Sequence, residues 1–443
     1  MKVPPSPQST PIIGHLKGFK NDPINFMLNS ANELGDMVLF KLLNKKIYFV
    51  NNPEAIRHVM QTNYKNYVKS PGYKPLRLLG GMGIFTNDGE EWLRRRQFYQ
   101  PAFSHSSVKS YSTTVLSNAE AMLAEWQKNL SHTKQINISV EMMKITMNII
   151  GETLFSTRID YGSDLWDKTT LCLEWISDRA LRNPFVLPAS WPTKKNRAFH
   201  SAVKALDEVI YKIIDDRKKN PSAVNDLLQR FMNPEENNLK PLNEKELRDE
   251  VMTIFIAGHE TSANVLSWAT YLLCLHPDIQ QKVLNEVLTL GNRDLTFEDL
   301  HHLTYTGQVL NETMRLYPPV WHLGRMNITE DELAGYKLLP NSHVRMSPLT
   351  LHRCEKFWPN PDAFDPERFS IENTKKQIPY TYIPFGAGPR LCAGRNFAMM
   401  EMVLILAMMV RKFEFNYSGK QIEMAPLMTL RSKGDILVTT KIR

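Results

Sequence analysis

PFGAGPRLCAG, residues Pro384 to Gly394, is the stretch from which the fold can be read. Its cysteine, Cys392, follows Gly386, Gly388, Pro389 and Arg390 and precedes Gly394. Asn396 to Val410 is apolar and methionine-rich, the composition of a buried helix. Cys392 therefore belongs where a glycine- and proline-rich loop turns into a helix N-terminus. Glycine permits the tight backbone such a loop needs. The free N–H groups and dipole of a helix start favour an anion there. The expected consequence is a cysteine of lowered pKa, held as thiolate. The plainer reading is an ordinary buried core cysteine.

A thiolate wrapped in backbone donors can ligate a metal, and one such ligand backed by an apolar helix suggests haem. Phe385-x-x-Gly388-x-Arg390-x-Cys392-x-Gly394 resembles the haem-ligand signature of the cytochrome P-450 family. The resemblance runs from the proline-rich start to Lys433-Gly434, with its motifs in the family's order. It implies a mainly α fold with a smaller β-rich part, the P-450 fold, with residues 1–443 as a single haem domain. The β-rich parts would lie near 37–50, 320–350 and 414–443, the helical parts near 89–316 and 392–411. The implied cofactor is haem b with Cys392 as axial ligand, framed by Phe385, Gly386 and Gly394.

The bulk numbers agree with a globular chain. Of 443 residues 42% are hydrophobic and 23% charged, which argues against global disorder. The net charge of +8 fits an acidic partner, an anionic surface or nucleic acid. Arg94-Arg95-Arg96 is the densest basic cluster, with no aromatic-interleaved run, so nucleic acid is the weaker reading. Cys172, Cys274, Cys354 and Cys392 are far apart and form no CxxC, against a disulfide framework or a cysteine-rich zinc site. Prolines interrupt the N-terminus where a signal peptide would need an apolar core. The longest apolar runs are too short to cross a bilayer. The expected location is the cytoplasm.

Along the chain, a proline-rich entry precedes a helix near Ile24 to Leu34, β pieces at Met37 to Leu42 and Lys46 to Val50, and a helix at Pro53 to Gln61. Ser70 to Asp88 reads as an irregular glycine-rich loop carrying Leu78, Leu79, Met82 and Phe85, which should face a core or a ligand. Helical periodicity dominates from Gly89 to Tyr211, with breaks at Asn183-Pro184 and Leu187-Pro188. Arg217 to Asn243 reads as one short helix between polar loops, and a long helix is predicted from Glu244 to Leu275.

Within that long helix stands Ala257-Gly258-His259-Glu260-Thr261-Ser262. Mid-helix Gly, Thr and Ser lower helix propensity and predict a local opening. A carboxyl beside a hydroxyl suits proton delivery, Glu260 exchanging with solvent while Thr261 holds a water or bound oxygen. His259-Glu260 begins the HExxH zinc motif, but Ala263 ends that reading. The segment is similar to the family's oxygen-activating motif, which implies catalytic roles for Thr261 and Glu260 and room over the iron at Ala257 and Gly258.

Trp92 and Arg96 share a helix face four residues apart. By resemblance Trp92, Arg96, Arg325 and Arg390 would bind the haem propionates. Glu312, Arg315 and Arg368 resemble the Glu-x-x-Arg and Pro-Glu-Arg-Phe elements, which implies a buried structural ion-pair network. His352 with Cys354 is a conceivable metal pair, though two ligands do not make a site. The expected substrate wall combines Leu78, Leu79, Met82, Phe85, Phe255, Ala257, Val320, Trp321, His322, Leu323, Leu427 and Met428. Its apolar character points to a lipid-, terpenoid- or steroid-like substrate, with His322 as a polar anchor.

The function implied is a haem-thiolate monooxygenase that hydroxylates or epoxidises an apolar substrate. The alternatives are a peroxygenase or isomerase of the same fold, or a non-catalytic haem-binding protein. No flavin or nicotinamide domain is evident, so electrons would come from a ferredoxin or flavodoxin with its NAD(P)H reductase. Arg94, Arg95 and Arg395 would form the docking patch.

Overall fold

A helix that begins well and has no reason to stop organises the molecule. In the computed structural model, which describes residues 2–129, 135–158, 163–182, 186–220, 224–234 and 239–443, Glu244–Leu275 is one 32-residue helix. A capping box starts it: the Asn243 side chain accepts the Glu246 N–H (3.0 Å), and the Glu246 carboxylate accepts the Asn243 N–H (2.9 Å). It ends at His276, before Pro277 opens the next helix. Beyond the first turn nearly every side chain is buried, so the helix runs through the core.

Ile138–Leu154 crosses it closely. A Cβ on Gly258 would meet Ile150 Cδ1 at 2.7 Å, so this glycine makes room for the crossing helix as well as for the cavity described below. The helix stays continuous through Ala257–Ser262, contrary to the expected opening. The Thr261 hydroxyl donates to the Ala257 carbonyl (2.9 Å) while the helical ladder persists. Arg395–Lys412, the cysteine helix, packs against the central helix with Phe397, Met400, Leu404, Ile405 and Leu406 buried.

Five strands form the main sheet: β1 (Met37–Leu42), β2 (Lys45–Val50), β3 (Tyr67–Lys69), β4 (Leu323–Asn327) and β5 (His343–Met346). Their order is β1-β2-β5-β4-β3, with only β2/β5 parallel. The sheet separates two apolar clusters, one holding Met60, Val344, Met346 and Ile383, the other Phe19, Phe40, Phe49 and Trp321. Near the C-terminus, Phe413–Asn416 and Gln135–Asn137 flank Leu437–Ile442, and Met424–Pro426 pairs with Leu430–Ser432.

Two expectations shift. Ser70–Asp88 contains a 3-10 turn at Pro71–Leu76 and a helical turn at Arg77–Gly80. The helix starting at Lys194 runs to Lys219, beyond Tyr211, because Ile213, Ile214 and Arg217 keep the buried stripe going. Of the predicted breaks, Asn183-Pro184 lies outside the described residues, and Leu187-Pro188 falls in irregular chain before that helix.

Candidate active site

The cysteine loop is tight because its backbone turns through positive φ at Gly386 (75°) and Gly388 (66°). A Cβ on Gly388 would strike the Met60 carbonyl, so the loop sits against the turn that carries Met60. The Cys392 N–H donates to Phe385 O (3.0 Å), and the Gly386 N–H to Ile383 O (3.0 Å). Ile383 is held in turn: its N–H donates to His352 Nε2 at 2.9 Å. Burial pushes the His352 ring down to about 3, so it is a neutral acceptor. With Nε2 so occupied, and with no group of three or more possible ligands among the described residues, His352 and Cys354 do not make a metal site.

Cys392 is open to a cavity lined also by Phe385, Gly386, Leu391, Ala393 and Gly394. Its thiol lies above the ordinary value, against the sequence expectation. Burial outweighs the Gly394 N–H and the Arg96 and Arg395 guanidiniums, which favour the thiolate. The helix start lowers the pKa too weakly to offset an apolar surround.

One edge of the cavity is cationic. Lys69, Arg96, Arg325 and Arg390 all reach it, with Trp92 beneath. Arg390 lies over the Trp92 ring (4.5 Å to its centre) and pairs with Asp88 (2.6 Å). Arg325, buried, donates to its neighbour's carbonyl, Gly324 O, at 3.0 Å. Burial, then Arg325 and Arg390, holds the Lys69 ammonium well below its ordinary value. Burial also lowers Arg96. Among the described residues, Asp88 is the one carboxylate paired with any of the four. One buried and three half-buried basic side chains facing one carboxylate suit a ligand that brings carboxylates of its own.

The opposite wall comes from the central helix: Thr253, Ile254, Ala257, Gly258, Thr261, Ser262 and Val265. Glu260 does not join it. Its carboxylate, 1% exposed, accepts from Arg431 Nε (2.7 Å) and from the Thr429 hydroxyl. Adjacent helix positions point about 100° apart, so Glu260 meets the Met424–Ser432 hairpin while Thr261 meets the cavity. The expected direct exchange of Glu260 with solvent does not hold.

Of the expected substrate wall, Phe85, Ala257, Val320 and Leu323 line the cavity. The other eight lie elsewhere. Leu78 and Met82 face outward, 44% and 41% exposed, while Leu79 is fully buried. The reason is the anchoring of their loop to the central helix: the Met82 and Ile84 N–H groups donate to Asp249 (2.9 Å) and Glu250 (3.1 Å). Phe255 is in the core beside His259. The Trp321 indole donates to Leu427 O (2.7 Å) and the Met428 N–H to the Ser177 hydroxyl (2.8 Å), tying these residues to one another and to a neighbouring helix. His322 is half-buried off the cavity, its ring nitrogens shielded and desolvation pushing the ring down to about 3.

Glu312, Arg315 and Arg368 do meet. Arg315 Nε and Nη2 donate to the two Glu312 oxygens (2.7 and 2.8 Å), and Arg368 approaches at 3.4 Å. Arg315 also donates to the carbonyls of His352, Pro361 and Ala363 (2.9, 2.7 and 2.9 Å). The network thereby fixes the chain leading to His352 and the cysteine loop. Arg95, by contrast, is 2% exposed and pairs with Glu246 (2.9 Å) and Glu250 (3.3 Å), so it leaves the expected docking patch. Sequence reading missed Lys69 and Tyr73 on the cavity wall: Lys69 ends the three-residue β3 and Tyr73 lies in the short turn Pro71–Leu76, and neither is long enough to show periodicity.

The profile of the cytochrome P450 family matches residues 4–439, and the chain belongs to that family. It is a cytochrome P450 monooxygenase by class. It is 31% identical to cyclooctatin synthase of Streptomyces melanosporofaciens, covering 96% of this chain and 93% of that protein. It is also 31% identical to cyclooctat-9-en-7-ol 5-monooxygenase of the same organism (91% and 87%) and 28% identical to cytochrome P450 4V2 of Homo sapiens (100% and 90%). The family implies a haem-thiolate cofactor. Among the described residues no group of three or more His, Cys, Asp or Glu side chains could hold a bare metal ion. A lone cysteine facing an apolar cavity with a cationic edge fits a macrocycle that brings its own nitrogens and carboxylates.

Proposed function

We propose that this chain hydroxylates or epoxidises an apolar substrate of terpenoid or lipid type, using O2 at a haem held by Cys392. The carrying observation is one cavity with Cys392 on one wall, Ala257, Gly258 and Thr261 opposite, and a cationic edge between. Haem with thiolate ligation supplies an iron at which O2 is reduced, the sulfur's electron release favouring O–O cleavage. Arg96, Arg325 and Arg390, with Trp92 and Lys69, would bind its propionates and fix its orientation. Ala257 and Gly258 leave space over the bound group, and Phe85, Val320 and Leu323 exclude water from the reacting face. The Thr261 hydroxyl, now donating to Ala257 O, is placed to turn and hold a proton inside the cavity. Glu260 would have to loosen its pair with Arg431 to supply that proton. The terpenoid preference rests on the names of the two Streptomyces relatives.

Members of the family draw electrons from partner proteins, and here a ferredoxin or flavodoxin with its reductase is proposed. The test is turnover of a cyclic terpene or terpene alcohol with such a pair, NAD(P)H and O2. An oxygenated product labelled from 18-O2 is expected. Product that forms only with added peroxide, or that carries no label, would contradict the proposal.

A further inference from the structure

Beyond the cavity, the sheet carries a second set of basic side chains with no acidic partner. In β4, Leu323 and Arg325 line the cavity, so Gly324 faces the other way. Gly324 pairs with Arg345 of β5, and Arg345 pairs with Phe49 of β2. Cross-strand partners share a face, which puts Arg345 on the side of Phe49 and Phe19. Its guanidinium is 5.5 Å from the Phe19 ring centre. No ion pair or hydrogen bond engages it among the described residues. Beside it stands His322, both ring nitrogens buried and without a hydrogen-bond partner. His322 feels the Arg345 charge, and so does His343, which Lys45 repels as well. The one group that favours the Arg345 charge is the Tyr73 phenol. The His322 nitrogens are shielded from water and the half-buried Arg345 is given no acceptor by the protein, an arrangement that a bound anion would complete.

Tyr73 stands between these side chains and the cavity. Its ring lines the cavity and contacts Phe85 (5.7 Å between centres), and a Cβ on Gly324 would lie 3.7 Å from it. His322 itself sits between Val320 and Leu323, which both line the cavity. A molecule with its apolar body in the cavity could thus pass Tyr73 and present a polar end to Arg345 and His322.

We propose that Arg345 and His322 form a carboxylate-binding recess that anchors the acid end of an otherwise apolar substrate. The inference rests on the apolar-cavity reading above and narrows it to acids. Arg345 supplies a forked pair of N–H donors and the neutral His322 ring a third. The carboxylate belongs either to a straight-chain fatty acid or to a polycyclic terpenoid acid, and both present the same group.

The test uses holoenzyme and the spectral shift on substrate binding, with palmitic acid, abietic acid and the methyl ester of each. At least one acid is expected to bind more tightly than its ester. Arg345→Met, which keeps the apolar stem over Phe19, should weaken that acid by about ten- to a hundredfold and leave its ester unchanged. Arg345→Lys should recover part of the loss. An unchanged reduced-CO spectrum will show that the variants keep their fold. Acids and esters binding alike, or an acid preference that survives Arg345→Met, would overturn the recess while leaving the apolar cavity standing. If none of the four compounds shifts the spectrum, the recess falls, and the apolar-cavity reading is decided by the turnover test above.

Discussion

Thr261 and Glu260 are neighbours in sequence, yet the helix sends one into the cavity and the other into an ion pair with Arg431. The two should therefore fail differently. Thr261→Ala removes the one hydroxyl placed at the cavity by the acid–alcohol pair. Product per NAD(P)H consumed is expected to fall about tenfold or more, with peroxide rising to match, while fold and haem content stay intact. Peroxide and product assays read this directly. Arg431→Leu would leave the buried Glu260 without its counter-charge, so its main effect should be a lowered unfolding midpoint. The sequence placed both residues on the right helix, but the direction of Glu260 depended on a hairpin more than 160 residues downstream, which periodicity cannot foresee. Cys392 teaches the same point. A helix start was legible as favouring thiolate, whereas the burial that outweighs it, and the Arg96 and Arg395 guanidiniums that side with it, exist only once the chain folds.

At the scale of elements, two contacts hold the cysteine loop. One is the Glu312–Arg315–Arg368 network. Glu312→Gln would leave the fully buried Arg315 without its counter-charge, an expected cost of about 3–5 kcal/mol measured by chemical denaturation. Weaker haem retention should accompany it, because Arg315 also holds the His352 carbonyl. The other contact is between the cysteine helix and the central helix, where Glu401 lies fully buried against Ser262. Burial pushes Glu401 up to about 8. A raised carboxyl pKa means the folded state holds a proton that the unfolded chain releases at lower pH. Stability conferred by the neutral acid is thus lost as pH rises from the ordinary carboxylate range through about 8. Glu401→Gln should melt at a higher temperature than the parent near pH 8, with the gap closing toward about pH 5. The helices themselves were readable from capping residues, prolines and apolar stripes. Glu244–Leu275 has the predicted bounds, since Asn243 and Pro277 mark its ends in sequence. β3 and Gln135–Asn137 were not readable, because three-residue strands take their identity from their partners.

For the whole molecule, the +8 charge and an exposed Arg395 beside the cysteine loop favour an acidic electron donor. Reduction by a ferredoxin or flavodoxin should slow as ionic strength rises from about 0.05 to 0.5 M, because surface charges are screened over that range. A rate independent of salt would rule out electrostatic docking. Among the described residues no helix is long and apolar enough to cross a membrane. The mainly helical fold with its smaller sheets was implied by the resemblance of motifs spaced along the chain, the cysteine-loop signature being the most specific. The substrate wall did not, because apolar residues on a loop can face either the cavity or the core, and backbone bonds to Asp249 and Glu250 decide which.

All of these readings depend on Cys392 holding haem. The absorption of the reduced, CO-bound protein reports the ligand opposite CO, and comparing the parent with Cys392→Ser tests that dependence most directly. The account predicts the red-shifted thiolate band in the parent and its loss in the variant. A variant spectrum identical to the parent's would contradict it.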